Sequence, residues 1–214
     1  MNSRVTLGIS ALLFACVSWA QCSKSPQPHR RLQWSEATQA TSPNFRWQVV
    51  LRPVLTSEEN NSPVLLKSCR GRESWQLLTL SRSAEVFWAP SGSRLLVINQ
   101  PTADVYQLLL FDVEKLSSDS ATQSANEIDE VVKQSLKEKL RESRIIEFYL
   151  PTFVSWANER LVLGVGGATS SGRDGPMQSY CYGFVIDSTN RRMQNVLSRK
   201  DLKAKFGAQC KESP

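Results

Sequence analysis

The chain has 214 residues, 41% of them hydrophobic, and a formal net charge of +6. That length suits one ordinary domain, and the apolar share is enough for a core. A single histidine, His29, excludes most nucleophile–histidine arrangements.

The first residues read as an address. Residues 1–4 are short and basic, residues 5–17 are apolar and uncharged, and Ser18-Trp19-Ala20 puts small residues where a signal peptidase reads them. This is the pattern of an export signal, residues 1–20, cut after Ala20. A bilayer span takes about 20 apolar residues, more than this run offers. A competing site, Leu13-Phe14-Ala15-Cys16, resembles a lipobox in which Cys16 is lipidated. Phe14 fits its middle position poorly, and Cys22, preceded by Gln21, fits worse. No other segment is apolar enough to span a membrane. The expected location is periplasmic or secreted, with a lipid anchor through Cys16 as the variant.

Export changes how the cysteines read. Beyond Cys16 there are four: Cys22, Cys69, Cys181 and Cys210. An even number in an oxidising compartment suggests disulfides, and four cysteines allow three connectivities. Cys181–Cys210 is the expected pair, because it staples the C-terminal tail to a predicted strand. A zinc site is not expected, since no two cysteines sit at CxxC spacing.

Residues 21–43 are rich in Ser, Pro, Gln and Thr and carry the basic knot His29-Arg30-Arg31, so a flexible tether is expected, with Trp34 docking on the body. One β-rich domain over 44–210 follows. Strands are expected at 45–55, with Pro53 at its end, and at 64–69, while 74–81 reads as a strand or a short helical turn. Residues 86–113 read strand, tight turn at Pro90-Ser91-Gly92, strand, polar loop, strand.

Ser124 and Glu127 form a capping box ahead of the apolar stripe Ile128, Val131, Val132, Leu136 and Leu140. The spacing predicts an amphipathic helix over 124–144 lying on a sheet. A strand over 145–150 is expected to break at Pro151. Residues 153–156 lead to a turn at Ala157-Asn158, and 160–165 is a strand. Gly-rich residues 166–177 read as a long flexible loop carrying Arg173 and Asp174, suited to an exposed contact. Strands at 178–187 and 192–197 follow. Ser198 with Asp201 opens a short basic helix, with Leu202 and Phe206, that Gly207 ends.

Two stretches echo one another. Phe87-Trp88-Ala89-Pro90-Ser91-Gly92-Ser93-Arg94-Leu95-Leu96-Val97, followed by a strand ending near Asp112, matches Ser155-Trp156-Ala157-Asn158-Glu159-Arg160-Leu161-Val162-Leu163, followed by a strand ending at Asp187. The first copy resembles the blade repeat of TolB-like and WD-repeat β-propellers through Trp88, Pro90, Gly92, Leu95 and Leu96, with Ser91 where those repeats carry Asp. The second keeps Trp156 and Arg160-Leu161 without Pro and Gly. The resemblance implies a meander in which Trp packs between sheets and Gly takes φ > 0 in the turn. It does not imply a closed propeller, because the length leaves room for about three blades and propellers use about four to eight. The expected class is α+β, mainly β: antiparallel propeller-like meanders with one helix inserted between the two copies.

HExxH is absent, Gly164-Val165-Gly166-Gly167-Ala168-Thr169 lacks the third glycine of a dinucleotide loop, and a phosphate loop lacks its lysine. No cofactor and no metal are expected. Asp104, Asp112, Glu147, Glu159, Asp174 and Asp187 lie near predicted strand ends, and paired carboxylates are the one open enzymatic route, a carbohydrate-active hydrolase. The favoured expectation is an exported envelope binding or accessory protein without catalytic activity, of the immunity or assembly-factor type.

Between residues 191 and 211 seven basic residues face one acid. Of these, Arg191, Arg192, Arg199, Lys200 and Lys203, with Arg173 and Asp174, are the candidate contacts. They suit a protein or an anionic envelope component. Nucleic acid is not expected of an exported chain, and the basic stretch carries one aromatic residue, Phe206, and no interleaved series of them as a stacking surface requires.

Overall fold

The computed structural model describes residues 22, 25–33, 35–52, 61–116, 127–140, 144–171 and 175–211. Among them the chain is mainly β, with three four-stranded antiparallel sheets and two helices. The strands are β1 (His29–Gln33), β2 (Thr38–Thr41), β3 (Trp47–Leu51), β4 (Ser62–Ser68), β5 (Ser74–Leu80), β6 (Ser83–Trp88), β7 (Arg94–Gln100), β8 (Gln107–Asp112), β9 (Ile145–Ala157), β10 (Arg160–Ser170), β11 (Gln178–Asp187) and β12 (Arg192–Ser198). The helices are α1 (Glu127–Leu140), between β8 and β9, and α2 (Arg199–Phe206). Sheet orders are β1-β6-β7-β8, β2-β3-β4-β5 and β12-β11-β10-β9, and no closed propeller is found.

The β1-β6-β7-β8 sheet is the middle layer, and its sequence says why. Successive strand residues point to opposite faces, so a strand that is apolar at both alternations must be covered on both sides. Val86, Trp88, Leu95, Val97, Leu109 and Phe111 join one core with the β2–β5 sheet. Phe87, Leu96, Ile98, Leu108 and Leu110 join a second core with α1 and the β9–β12 sheet. The α1 stripe enters that second core through Ile128, Val132 and Leu136, all fully buried. A third, smaller core lies on the far face of the β9–β12 sheet, where Val162, Cys181, Leu197 and Cys210 meet Leu202 of α2.

The Pro90-Ser91-Gly92 turn forms as its residues require. Gly92 adopts φ 70°, its N–H bonds the Ala89 carbonyl at 2.8 Å, and Asn44 Nδ2 donates to the Ser91 carbonyl at 2.9 Å. Trp88 is buried between the first two sheets and donates its indole N–H to the Ala40 carbonyl at 3.3 Å. A Cβ on Gly92 would lie 2.5 Å from Asn44 Cγ, in a backbone region that side chains disfavour. Gly92→Ala is therefore expected to lower stability by about 1–3 kcal/mol, read as a fall in the urea midpoint at unchanged slope.

Three expectations need correcting. The stretch expected as a tether carries β1 and β2. β1 pairs with β6 from His29↔Phe87 to Gln33↔Ser83, and β2 pairs with β3. Pro151 does not break its strand: β9 runs on to Ala157 with Pro151 opposite Val165. β9 is an edge strand, where alternate N–H groups point away from the ladder and a proline is tolerated. Residues 166–170 are not loop but the buried end of β10. Their glycines mark close approach, since a Cβ on Gly166 would sit 2.1 Å from the Lys211 carbonyl oxygen. Trp34, Pro53, Ser124, Arg173 and Asp174 lie outside the described residues.

Candidate functional site

The C-terminal basic region is held rigidly. Ser198 caps α2: its hydroxyl accepts from Asp201 N–H at 3.1 Å and donates to Asp201 Oδ2 at 2.6 Å. That hydroxyl and the turn around it hold the Asp201 carboxyl below its ordinary range. Gly207 closes the helix in the left-handed region at φ 64°, with its N–H on the Lys203 carbonyl at 2.9 Å. Leu202 anchors the inner face, and the Cys181–Cys210 disulfide ties the following residues to β11. Lys200, Lys203 and Lys205 are thereby left on the outside.

Beside the start of α2 lies a cleft of about 460 Å³. Arg199 enters it from α2, Lys139 from the last turn of α1, and Arg144 from the approach to β9. Tyr180, Tyr182 and Thr169 of β11 and β10 form much of the rest, and among the described residues the lining contains no carboxylate. Arg144 Nη1 reaches Thr169 Oγ1 at 3.4 Å. The Tyr180 hydroxyl donates to the Phe148 carbonyl at 2.6 Å, and burial pushes its pKa up, so it stays a neutral donor. Three cations facing a concave surface favour an anionic group from a partner.

Among the described residues, the one basic contact candidate from the sequence that lines this cleft is Arg199. Arg191 sits at φ 57° in the β11–β12 turn and sends Nη2 back to the Leu110 carbonyl of the middle sheet at 3.4 Å. Arg192 stands opposite Asp187 in the ladder. Lys139 and Arg144 were missed. The signal was present as a run of basic residues at the end of the apolar stripe, but only the fold brings that run to α2.

The candidate acids are engaged elsewhere. Glu159 pairs with Arg94, linking the turn of one sheet to the strand of the next. Asp112 pairs with Lys115 at 3.3 Å, and Glu147 accepts from Ser170 Oγ. Asp187 accepts from Thr189 N–H at 2.8 Å, a bond that lowers its pKa and closes the β11–β12 turn. Asp104 lies exposed in the β7–β8 connection. A hydrolase built on these carboxylates would have to break most of these contacts. His29 stacks on Phe87, with centroids 4.4 Å apart and planes 5° from parallel. Among the described residues no group of three His, Cys, Asp or Glu is placed to hold a metal ion.

The cysteines form Cys22–Cys69 and Cys181–Cys210, the second being the pair expected from sequence. Two disulfides point to an oxidising, extracytoplasmic setting. Among the described residues no helix is long and apolar enough to cross a membrane. Comparison with known protein families, curated proteins and solved structures returns no match.

Proposed function

We propose that this chain is an exported binding or accessory protein of the bacterial envelope that takes an acidic partner on its cationic cleft and does no chemistry itself. The observation that carries this is the convergence of Lys139, Arg144 and Arg199, from two helices and a strand approach, on one concavity with no acid among the described residues that line it. Exposed cations contribute mainly to steering and to specificity, so binding should weaken as salt rises. Two disulfides and the leader-like first residues support a periplasmic or secreted site of action, with lipidation at Cys16 as the anchored variant. The stacked four-stranded meanders are read as degenerate propeller-like blades. In both echoes the Trp, Trp88 or Trp156, faces the sheet formed earlier in the chain.

The test is capture from an envelope extract with purified chain as bait. The expected result is an acidic protein retained at low salt, lost at high salt, and lost with Lys139→Gln/Arg144→Gln/Arg199→Gln. Its identity, a toxin or an assembly component, separates immunity from assembly. Capture unchanged by the triple substitution would sink the cleft as the contact. Intact chain in cytosol with four reduced cysteines would sink the exported reading.

A further inference from the structure

We propose that the outer face of the β2–β5 sheet is a binding groove for an anionic oligosaccharide. This goes beyond the envelope reading above and does not rest on it, because the groove lies on a different sheet from the cleft.

The two outer sheets are finished differently. The far face of the β9–β12 sheet is covered by α2. On the β2–β5 sheet the register aligns Gln39 with Val50 and Leu65, and Thr41 with Gln48 and Lys67. Strand alternation turns this set away from the first core, which takes Ala40, Val49, Leu51 and Leu66. At one end the N-terminal segment crosses over. Gln27 N–H bonds the Thr41 carbonyl at 3.0 Å, and Cys22 is tied to Cys69 at the β4–β5 turn. Between this strap and the sheet lies a groove of about 730 Å³, inside the roughly 300–1,000 Å³ range of small-ligand sites.

The lining specifies the chemistry. Among the described lining residues, Arg30, Arg52, Lys67 and Arg72 stand with a single acid, Glu73. Guanidinium forks match carboxylate and sulfate oxygens two at a time. Three amides, Gln27, Gln39 and Gln48, accompany them. An amide offers donors and an acceptor together, which suits sugar hydroxyls that need both. Gln48 is only 5% exposed and held by a 3.2 Å bond to Thr41 Oγ1, so its position is fixed. Gln27 Oε1 is shielded from solvent and has no hydrogen-bond partner among the described residues. Val50 and Leu65 leave apolar floor for the C–H faces of a sugar ring.

Other occupants fit less well. Among the described residues no aromatic ring appears in the lining to stack a base. A peptide added as a strand would need a sheet edge, whereas this groove lies across a sheet face.

The experiment is titration calorimetry at low salt on the chain with both disulfides intact. The probes are an oligogalacturonate, a heparin-derived oligosaccharide, a neutral malto-oligosaccharide of equal length and poly-glutamate. At least one acidic sugar should bind, the neutral sugar should not, and poly-glutamate should bind about tenfold more weakly or not at all. Tighter oligogalacturonate identifies carboxylate as the recognised group, and tighter heparin fragment, which carries carboxylates as well, shows that sulfate adds to the recognition. Lys67→Gln and Arg30→Gln should each weaken the sugar about tenfold, in line with a lost charged hydrogen bond. Gln39→Ala should weaken the sugar and leave poly-glutamate unchanged. Arg82→Gln, in the connection between β5 and β6, controls for net charge and should change nothing. Melting curves confirm that each variant folds. Binding of neither acidic sugar, poly-glutamate as tight as sugar, or Arg82→Gln as damaging as Lys67→Gln each overturns the proposal.

Discussion

Replacing Cys181 and Cys210 together by serine is expected to lower the unfolding free energy by about 3–4 kcal/mol and to free the C-terminal segment first. The pair closes a loop of sequence separation 29, for which the loss of unfolded-chain entropy alone is worth about 3.6 kcal/mol. The native contacts point the same way. Cys181 and Cys210 are 9% and 6% exposed and belong to the third core with Leu202. α2 has eight residues, too few to persist as a helix in water without its tertiary contacts. Its docking depends on Leu202 and on the tail passing Gly166, where a methyl group would meet the Lys211 carbonyl at 2.1 Å. Urea unfolding of the double serine variant measures the loss. Amide hydrogen exchange over 199–211 should show protection falling there before it falls in the middle sheet. A change under about 1 kcal/mol, with uniform protection, would mean that the segment is held by packing and the disulfide is incidental.

What the sequence made legible is what local pattern encodes. The unbroken apolar run through β6 and β7 announces a two-sided strand pair, the α1 stripe announces its buried face, and Ser198, Asp201 and Gly207 announce both ends of α2. What stayed hidden depends on partners far along the chain. β1 has one buried residue, Leu32, in a pattern otherwise exposed, so its composition reads as polar tail. It becomes a strand because β6, more than fifty residues later, offers a free edge. Pro151 and the 166–170 glycines carry the marks of a break and a loop. Only the sheet order shows that the proline is on an edge and the glycines make room for the tail. The cleft is hidden for the same reason: Arg199 stands in a visible basic run, but Lys139 and Arg144 reach it only because α1 leads into β9.

Asp129→Ala is expected to cost about 2–4 kcal/mol, although the residue reads in sequence as one more polar position on a helix. Asp129 is 5% exposed, at the point where α1 bridges two sheets. One carboxylate oxygen accepts from the Leu108 backbone N–H of the edge strand β8 at 3.3 Å and from the Tyr149 hydroxyl of the edge strand β9 at 3.1 Å. The other meets Lys133 Nζ at 2.6 Å, and that ammonium also lies 5.4 Å from the centroid of the Tyr149 ring. Removing the carboxylate strands two buried donors and takes the partner from a cation, so the loss should exceed that of Tyr149→Phe, about 1–2 kcal/mol.

The pH dependence gives a second signature of the same cluster. Burial raises the Tyr149 pKa well above 10.0, and the negative charge and hydrogen bond of Asp129 raise it further. A folded-state pKa above the unfolded one means the folded state holds this proton more tightly. The contribution is therefore fully present below about pH 10 and is lost as pH rises further. Tyr180, raised by burial, acts in the same direction. Denaturant midpoints measured between about pH 8 and 11 should fall steeply at the alkaline end for the wild type and less steeply for Tyr149→Phe. Equal alkaline slopes in the two proteins, or an Asp129→Ala variant within about 1 kcal/mol of wild type, would show that α1 is held by Ile128, Val132 and Leu136 alone.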